Sequence, residues 1–594
     1  MSATGANLLD YLRGDVTNEM TGGTATTDLY RKRNHLLGDI VNAQPAYVKA
    51  PPFSYSASSN PFYSDYKANN TSRRGTVYVA ANDGMLHAFE TDPDNNPYFQ
   101  TAGISTSATT DDTFSGTLNT SPTVGEGSER WAYVPGMTLP KLKDLATSPY
   151  THEYLVDGSP AIGDICFGHT AASPCAAATD WHTILVAGLN SGGRGYYALD
   201  VTDPTAPKAL WEFKGGSGTS CIATDAGVDG TQTEDCNMGL SFGNPIITKL
   251  PSTYSPAADA GKWVVIVTSG YNNVGTGDGI GHLYVIDAQS GKLLKRMSTG
   301  VGDTTNPSGL SRINAWVDNA TVDNSALTVY GGDLSGNLWR FQLENTSTVA
   351  SGSITRLATL VDPSSVAQPV TTKPELAEVS GQRVIYVATG RFLGTSDKTN
   401  EQRNSIYAIK DPYNSTADGL VPIARSGAFP TSTIANFVRQ DLTATSATER
   451  TTTIQSGATP VDFTSQSGWF IDLPDGGTTG NPSERVNVDP ILQLGTLVVA
   501  SNVPIADACV AGGFGWLNFL DFKTGGYVVG ATGNMASTKL SGALVVGINV
   551  IQLPGGAVKT EATLADNQVQ TKETPTAATS LQGRRVSWRE LIVE

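Results

Sequence analysis

Basic residues are scarce: 39 Lys and Arg stand against 55 Asp and Glu, which leaves a net charge of −16 over 594 residues. Nucleic-acid binding draws its affinity from a basic footprint that releases counterions, so no nucleic acid is an expected partner. Long apolar runs are missing too. No stretch of about 18 apolar residues occurs, so no segment reads as a membrane-spanning helix. The start, Met1-Ser2-Ala3-Thr4-Gly5, has neither the basic nor the apolar region of a signal peptide, and the chain is expected to be a piece of a longer precursor. The six histidines (35, 87, 152, 169, 182 and 282) fall singly, without the His-x-Glu or Glu-x-x-His spacing of a metal site. The reading is of a protein that is not an enzyme.

Cysteine is sparse, and its spacing is informative. Cys166 and Cys175 flank one short loop, and Cys221 and Cys236 flank a Gly/Asp/Thr-rich one. Neither pair has the CxxC spacing of a zinc knuckle. Loop-stapling disulfides Cys166–Cys175 and Cys221–Cys236 are the expectation, with free thiols as the alternative, and they point to an oxidising compartment. Cys509 is left over.

What the chain does have is turn chemistry and short strands. Gly 63 and Pro 31 are high, and only 16% of residues are charged. One pattern recurs: a strand, a tight polar turn, and a second strand ending in an aromatic and often an Asp. Its first copy is Thr76–Phe89, where Val77, Val79 and Ala81 alternate and Asn82-Asp83-Gly84 supplies a hairpin turn. Five more follow at Thr183–Asp200, Trp263–Asp287, Leu327–Phe341, Arg383–Ile409 and Leu497–Asp521. The small-small pairs ending the first strands suit crowded strands near a ring axis, which favours a propeller over stacked sandwiches.

The spacing is uneven, as in blades with long loop insertions. The gap between 409 and 497 is expected to hide a further blade built on Gly468–Leu473. The fold class is therefore all-β, a modified β-propeller of seven blades with eight as the upper count. Residues 1–45 form a lead-in with a short helical turn, 46–554 the propeller, and 555–594 a Thr/Ala-rich tail. That tail is a loose excursion until 584–591 regains regular character and docks back.

Several ordered motifs carry a resemblance. They are Leu12-Arg13-Gly14-Asp15, Gly38-Asp39-Ile40-Val41-Asn42, Val79–Phe89, Asp157-Gly158-Ser159-Pro160, Gly192–Tyr196, Gly332–Phe341 and Arg584–Arg589. In this order they resemble the propeller of the PilC/PilY family of type IV pilus-associated adhesins. The resemblance implies a secreted, disulfide-bearing protein at the pilus tip, cell surface or outer membrane of a Gram-negative bacterium. It implies roles in pilus biogenesis, balance against retraction, twitching motility and cell adhesion. Minor pilins and a host-cell receptor or abiotic surface are the partners it implies, and an N-terminal half, typically von Willebrand A-like, lies outside this sequence.

The resemblance also implies calcium. Family propellers often carry an Asp-x-Asp-x-Asp/Asn loop before the strand matching Val329–Asp333, and Ca²⁺ takes six to eight oxygens. Here that loop runs Val317–Leu327, with Asp318 and Asp323 its only carboxylates, no Gly at the bend and Leu327 in place of the closing acid. Asp318 and Asp323 are the metal candidates of a degenerate loop, an ordinary polar turn being the alternative. A second oxygen-rich loop, Tyr271–Gly279, has one carboxylate. Arg13-Gly14-Asp15 is an integrin-type tripeptide and the receptor-binding candidate, with a capping role for Asp15 as its alternative. A quinoprotein dehydrogenase is the reading from another class, since its propeller is similar. Such enzymes use a vicinal Cys-Cys, and this chain has no adjacent cysteines, so pyrroloquinoline quinone is not an expected cofactor.

Overall fold

The computed structural model describes all residues except 1–4, 21–28, 92–126, 318, 414–422, 479, 506–511, 541, 554–555, 577–582 and 586–594. Helix α1 (Gly5–Leu12) opens the chain. Four separate four-stranded antiparallel sheets follow. Blade I holds β1 (Ala46–Val48), β2 (Thr76–Ala81), β3 (Met85–Glu90) and β4 (Glu129–Tyr133). Blade II holds β5 (Ala161–Cys166), β6 (Trp181–Gly188), β7 (Gly195–Asp200) and β8 (Lys208–Lys214). Blade III holds β9 (Ile246–Lys249), β10 (Trp263–Thr268), β11 (His282–Asp287) and β12 (Leu293–Ser298). Blade IV holds β13 (Ile313–Val317), β14 (Ala326–Gly332), β15 (Asn337–Gln342) and β16 (Ile354–Thr359).

The remaining strands differ. β17 (Glu375–Val379), β18 (Gln382–Ala388) and β19 (Ser405–Lys410) are followed by a small ribbon, β20 (Arg425–Ser426) with β21 (Thr433–Ile434), and a hairpin, β22 (Phe437–Ala444) with β23 (Glu449–Ile454). Next come β24 (Gly468–Asp472), β25 (Ile491–Gln493), β26 (Thr496–Pro504), β27 (Gly513–Asp521) and β28 (Met535–Leu540). The hairpin pairs β22 with β24 on one side and β23 with β28 on the other, so two four-stranded units, V (β17, β18, β19, β24) and VI (β25–β28), fuse into one sheet of 11 strands. This sheet nearly closes into a barrel, its β17 side facing β25.

The six sequence hairpins thus become the middle strands of six four-stranded units. Seven separate blades are not seen among the described residues: four stand alone and two are fused in the nearly closed sheet, with the small sheet of the tail beside them. Gly468–Asp472 is not the seed of a separate blade but the outer strand of unit V, paired with β19. The gap after 409 is wide because the ribbon and hairpin are inserted between that unit's third and fourth strands.

The tail also differs from the loose excursion expected of its composition. β29 (Val545–Gln552), β30 (Val558–Leu564) and β31 (Val569–Glu573) make a three-stranded sheet, and β32 (Gly583–Arg585) pairs with β17. Val558, Thr560, Ala562 and Leu564 alternate inward with period two. Thr and Ala at two of these four positions hide the strand from a reading by hydrophobicity.

Middle strands are apolar on both faces because each blade is sandwiched between two others. In blade III, Val265, Val267, Tyr284 and Ile286 pack against blade II, while Val264, Ile266, Leu283 and Val285 pack against blade IV. The same rule takes the core from blade I to unit VI and on to β29 and β30. Gln44, just before β1, lies near β29: a Cβ added at Gly547 would stand 4.0 Å from its Nε2.

Three junctions share one clasp. The indole N–H groups of Trp131, Trp211 and Trp469, each on an outer strand, donate to the carbonyls of Pro204, Ala288 and Phe522 in the last turn of the next unit, at 2.9, 2.9 and 3.2 Å. Two of these turns are Asp287-Ala-Gln-Ser-Gly291 and Asp521-Phe-Lys-Thr-Gly525. Gly291 and Gly525 have φ of +73° and +70°, and a Cβ there would lie 2.5 and 2.6 Å from the Trp211 and Trp469 side chains. Glycine is required twice over: by the left-handed backbone and by the ring lying on it.

Candidate functional site

A strap runs from residue 53 through α2 (Tyr63–Asn69) across blades II and III. Tyr55 and Tyr63 pack with Trp181 and Trp263, the Tyr63 hydroxyl donates to Asp164 at 2.7 Å, and the Trp181 indole donates to Pro61 O at 2.9 Å. The strap is thereby fixed beside the turn that precedes β14, the loop in which the sequence places the metal candidates.

At that meeting point stands Lys249, the last residue of β9, 4% exposed. Its ammonium lies 2.6 Å from Asp323 Oδ1, 2.9 Å from Ser59 O and 3.0 Å from Asn60 Oδ1. The backbone carbonyls of 319, 322, 323 and 324 are engaged as well, while the Asn324 side-chain oxygen is buried without a hydrogen-bond partner. Val322 O and Asp323 O accept from Asn60 Nδ2, Asn324 O accepts from Lys249 N and Thr248 Oγ1, and Asn319 O accepts from the amides of 322, 323 and 324. Asp318 lies outside the described residues. Among the described residues of this loop the donor set does not fit calcium: Asp323 is their one carboxylate, it is already paired with a cation, and the carbonyls that would add further oxygens serve protein donors. Sequence reading missed Lys249, Ser59 and Asn60 because they lie in a different blade and in the strap. The available signal was a lysine placed on an otherwise apolar strand end.

The other candidates resolve into local structure. In Tyr271–Gly279, Asn273 Nδ2 donates to Ile280 O at 2.7 Å, and the Asp278 carboxylate holds His282 Nε2 at 3.0 Å. Arg13 and Asp15 are exposed just past the end of α1. Gly14 has a φ of +104°, Arg13 N donates to Leu9 O, and Asp15 Oδ1 accepts from Thr17 N at 2.6 Å. Arg33 ties this end down, donating to Tyr11 O at 2.7 Å and Asp15 O at 3.1 Å while pairing with Glu19. Asp15 thus shapes the exit from α1 through a turn with Thr17 rather than capping a following helix.

Both expected disulfides, Cys166–Cys175 and Cys221–Cys236, are formed, while Cys509 lies outside the described residues. Gly239-Leu240-Ser241-Phe242-Gly243 spells a serine-nucleophile string. Ser241 is nevertheless buried and holds Leu189 N at 2.9 Å and Gly195 O at 2.8 Å, as a structural serine does. Gly195 begins a strand, so the glycine-rich turn before it does not lead into the helix that a phosphate loop needs. Among the described residues no His, Cys, Asp and Glu side chains converge as a metal cluster.

A cleft of about 230 Å³ opens between α1, residues 31–39 and the β2–β3 turn, lined by Tyr11, Arg33, His35, Asp39, Asp83 and His152 among others. Beside it Leu36, Leu37, Ile40 and Val41 are 54, 42, 44 and 50% exposed. His87 stands behind the turn, with Nδ1 2.6 Å from Glu129 and Nε2 3.1 Å from Asp83. Burial pulls its pKa down, but the two carboxylates more than reverse this, and the net shift is upward. A folded-state pKa above the ordinary value near 6.5 gives stability that is full below that value and is lost as pH rises through the raised one. The difference in melting temperature between wild type and His87→Gln is therefore expected to shrink as pH rises above about 6.5. A difference independent of pH would assign His87 no proton in this network.

Comparisons with known proteins agree with this architecture. A family profile described as the PilY1 beta-propeller domain matches residues 37–436. The type IV pilus biogenesis factor PilY1 of Pseudomonas aeruginosa (strain PAK) is 29% identical over 565 residues, which cover 88% of this chain and 41% of that protein. A PilY1 homolog of Xylella fastidiosa (strain Temecula1) is 28% identical over 612 residues, covering 100% of this chain and 41% of the relative. The crystal structure of the Pseudomonas aeruginosa PilY1 C-terminal domain superposes with a TM-score of 0.60 at 23% identity, covering 89% of this chain and 99% of that one. The chain spans about two-fifths of the length of these curated relatives.

Proposed function

Because the chain belongs to the PilY1 β-propeller family, we propose that it is a pilus-associated binding module that supports type IV pilus biogenesis without catalysing a reaction. The observation that carries this reading is the extent of the match: the family profile begins at residue 37, beside the cleft, and covers blades I to IV and most of unit V. A ring whose blades share cores on both faces is rigid, and rigidity is what a surface that must present loops to partners requires.

The surface offered is the N-terminal one. Leu36, Leu37, Ile40 and Val41 form an apolar patch rimmed by Arg31, Asp39 and His152, a composition that suits contact with a pilin-type protein better than with a free small molecule. Minor pilins at the pilus tip are the proposed partners. Attachment to host cells or abiotic surfaces and twitching motility follow from the pili that the module helps to build, and the proposed location is the cell surface. Arg13-Gly14-Asp15 takes part as the exit of α1 that holds this patch in place.

The test is a deletion strain complemented with wild type or with Leu36→Asp/Ile40→Asp, scored for surface pili, adherence and twitching zones. Loss of pili and twitching with the double variant, at wild-type protein levels, is the expected result. Full piliation with adherence lost would make the patch an adhesive surface instead. Full piliation and adherence would remove the patch from the function.

A further inference from the structure

We infer that the Lys249 ammonium is a built-in cation that takes the place of a divalent ion at the junction of strap, blade III and blade IV, so that this junction is set without metal. The inference stands apart from the pilus reading, since its readouts are melting temperature and metal content.

The geometry of the nitrogen carries it. An ammonium has three N–H donors, and Lys249 has three oxygens within 3.0 Å, one from each kind of group a hard cation would use: a carboxylate (Asp323), an amide oxygen (Asn60) and a backbone carbonyl (Ser59). These come from two separate segments, residues 59–60 and residue 323, which the ammonium draws together onto the end of β9. Asn60, itself fully buried, clamps the same loop from its other end by donating to Val322 O at 3.2 Å and Asp323 O at 3.0 Å. Lys249 N and Thr248 Oγ1 fasten the next carbonyl, Asn324 O, at 2.9 and 2.8 Å.

A divalent ion entering this cage would meet the Lys249 ammonium at ion-pair distance from Asp323, the one carboxylate among the described residues of the loop. With no glycine at its bend and Leu327 where an acid would close it, the loop is bridged to the strap by an intramolecular cation.

The purified chain is to be melted in chelator and in millimolar calcium chloride, alongside elemental analysis. Wild type is expected to melt at the same temperature in both and to hold no stoichiometric calcium. Lys249→Met, which keeps the aliphatic stem and removes the charge, is expected to lower the midpoint by several degrees. Adding Asp323→Asn to it is expected to recover part of that loss, because the second change removes the stranded carboxylate. If Lys249→Met does not fold, wild type and Asp323→Asn alone decide, the latter melting below wild type equally with and without calcium. A calcium-dependent shift of the wild-type midpoint, stoichiometric bound calcium, a Lys249→Met or Asp323→Asn protein that melts with wild type, or a double variant that recovers nothing would overturn the proposal.

Discussion

Trp469→Ala is expected to destabilise the chain by about 3–5 kcal/mol, the usual cost of removing a fully buried indole. Trp469 is 0% exposed on the outer strand of unit V, and its ring lies on Gly525 in the β27–β28 turn of unit VI. Three losses coincide. The indole N–H no longer satisfies Phe522 O, the barrel core around Tyr386 and Phe522 gains a cavity, and the turn loses the surface against which its left-handed glycine is packed. Trp469→Phe keeps most of the ring and loses the hydrogen bond, so it is expected to cost much less. Trp131→Ala, at a partly buried position with the same bond to Pro204, is expected to fall between them. Chemical denaturation orders the three variants. Equal costs for Trp469→Ala and Trp131→Ala would mean that the clasp acts through its hydrogen bond alone. Limited proteolysis locates the damage: cleavage in the units that follow Trp469, before blades I to III are touched, is the result this packing requires.

The clasp also explains what a reading of the sequence does and does not reach. Six hairpins are legible because their middle strands are apolar on both faces and end in turns rich in Asn, Asp and Gly. Each becomes the heart of one unit. The outer strands are short and half-exposed, as in Glu129–Tyr133 or Ile354–Thr359, and carry no hairpin turn, so units are readily miscounted. Gly468–Asp472 was the instance: a fully buried strand whose sequence cannot say that its partner is β19, with two inserted ribbons between them. The Asp-x-x-Ser/Thr-Gly turns at 287–291 and 521–525 were visible, but their meaning depends on a Trp from the preceding unit. The disulfides were legible because both partners sit on one loop. Lys249 was not, because its three oxygens come from a strap and a loop in other parts of the ring. In each case a local feature could be read and a feature made by closing the ring could not.

At the junction between blade IV and unit V the largest electrostatic effect is expected. Arg340 on β15 and Asp411 just after β19 are both fully buried, with Nη1 2.6 Å from Oδ1. Tyr330 donates to the other carboxylate oxygen at 2.6 Å, and Arg340 Nη2 donates to Thr355 Oγ1 at 3.2 Å. Burial pushes the Asp411 carboxyl above its usual range even though Arg340 and Tyr330 pull it down, so the ionised form is costly where it stands. A buried pair of this kind contributes little net stability while intact and a great deal of instability when halved. Asp411→Ala is accordingly expected to cost about 3–5 kcal/mol, chiefly by taking its carboxylate from the buried guanidinium. Arg340→Met/Asp411→Leu, which removes both charges at similar volume, is expected to recover most of that loss. What it cannot recover is the Tyr330 hydroxyl, left with a buried proton and no carboxylate, worth about 1–3 kcal/mol. Adding Tyr330→Phe should bring the triple variant close to wild type. Urea denaturation of the single, double and triple variants decides the matter. A double variant no more stable than Asp411→Ala would show that the ion pair itself, rather than the cost of halving it, holds blade IV to unit V.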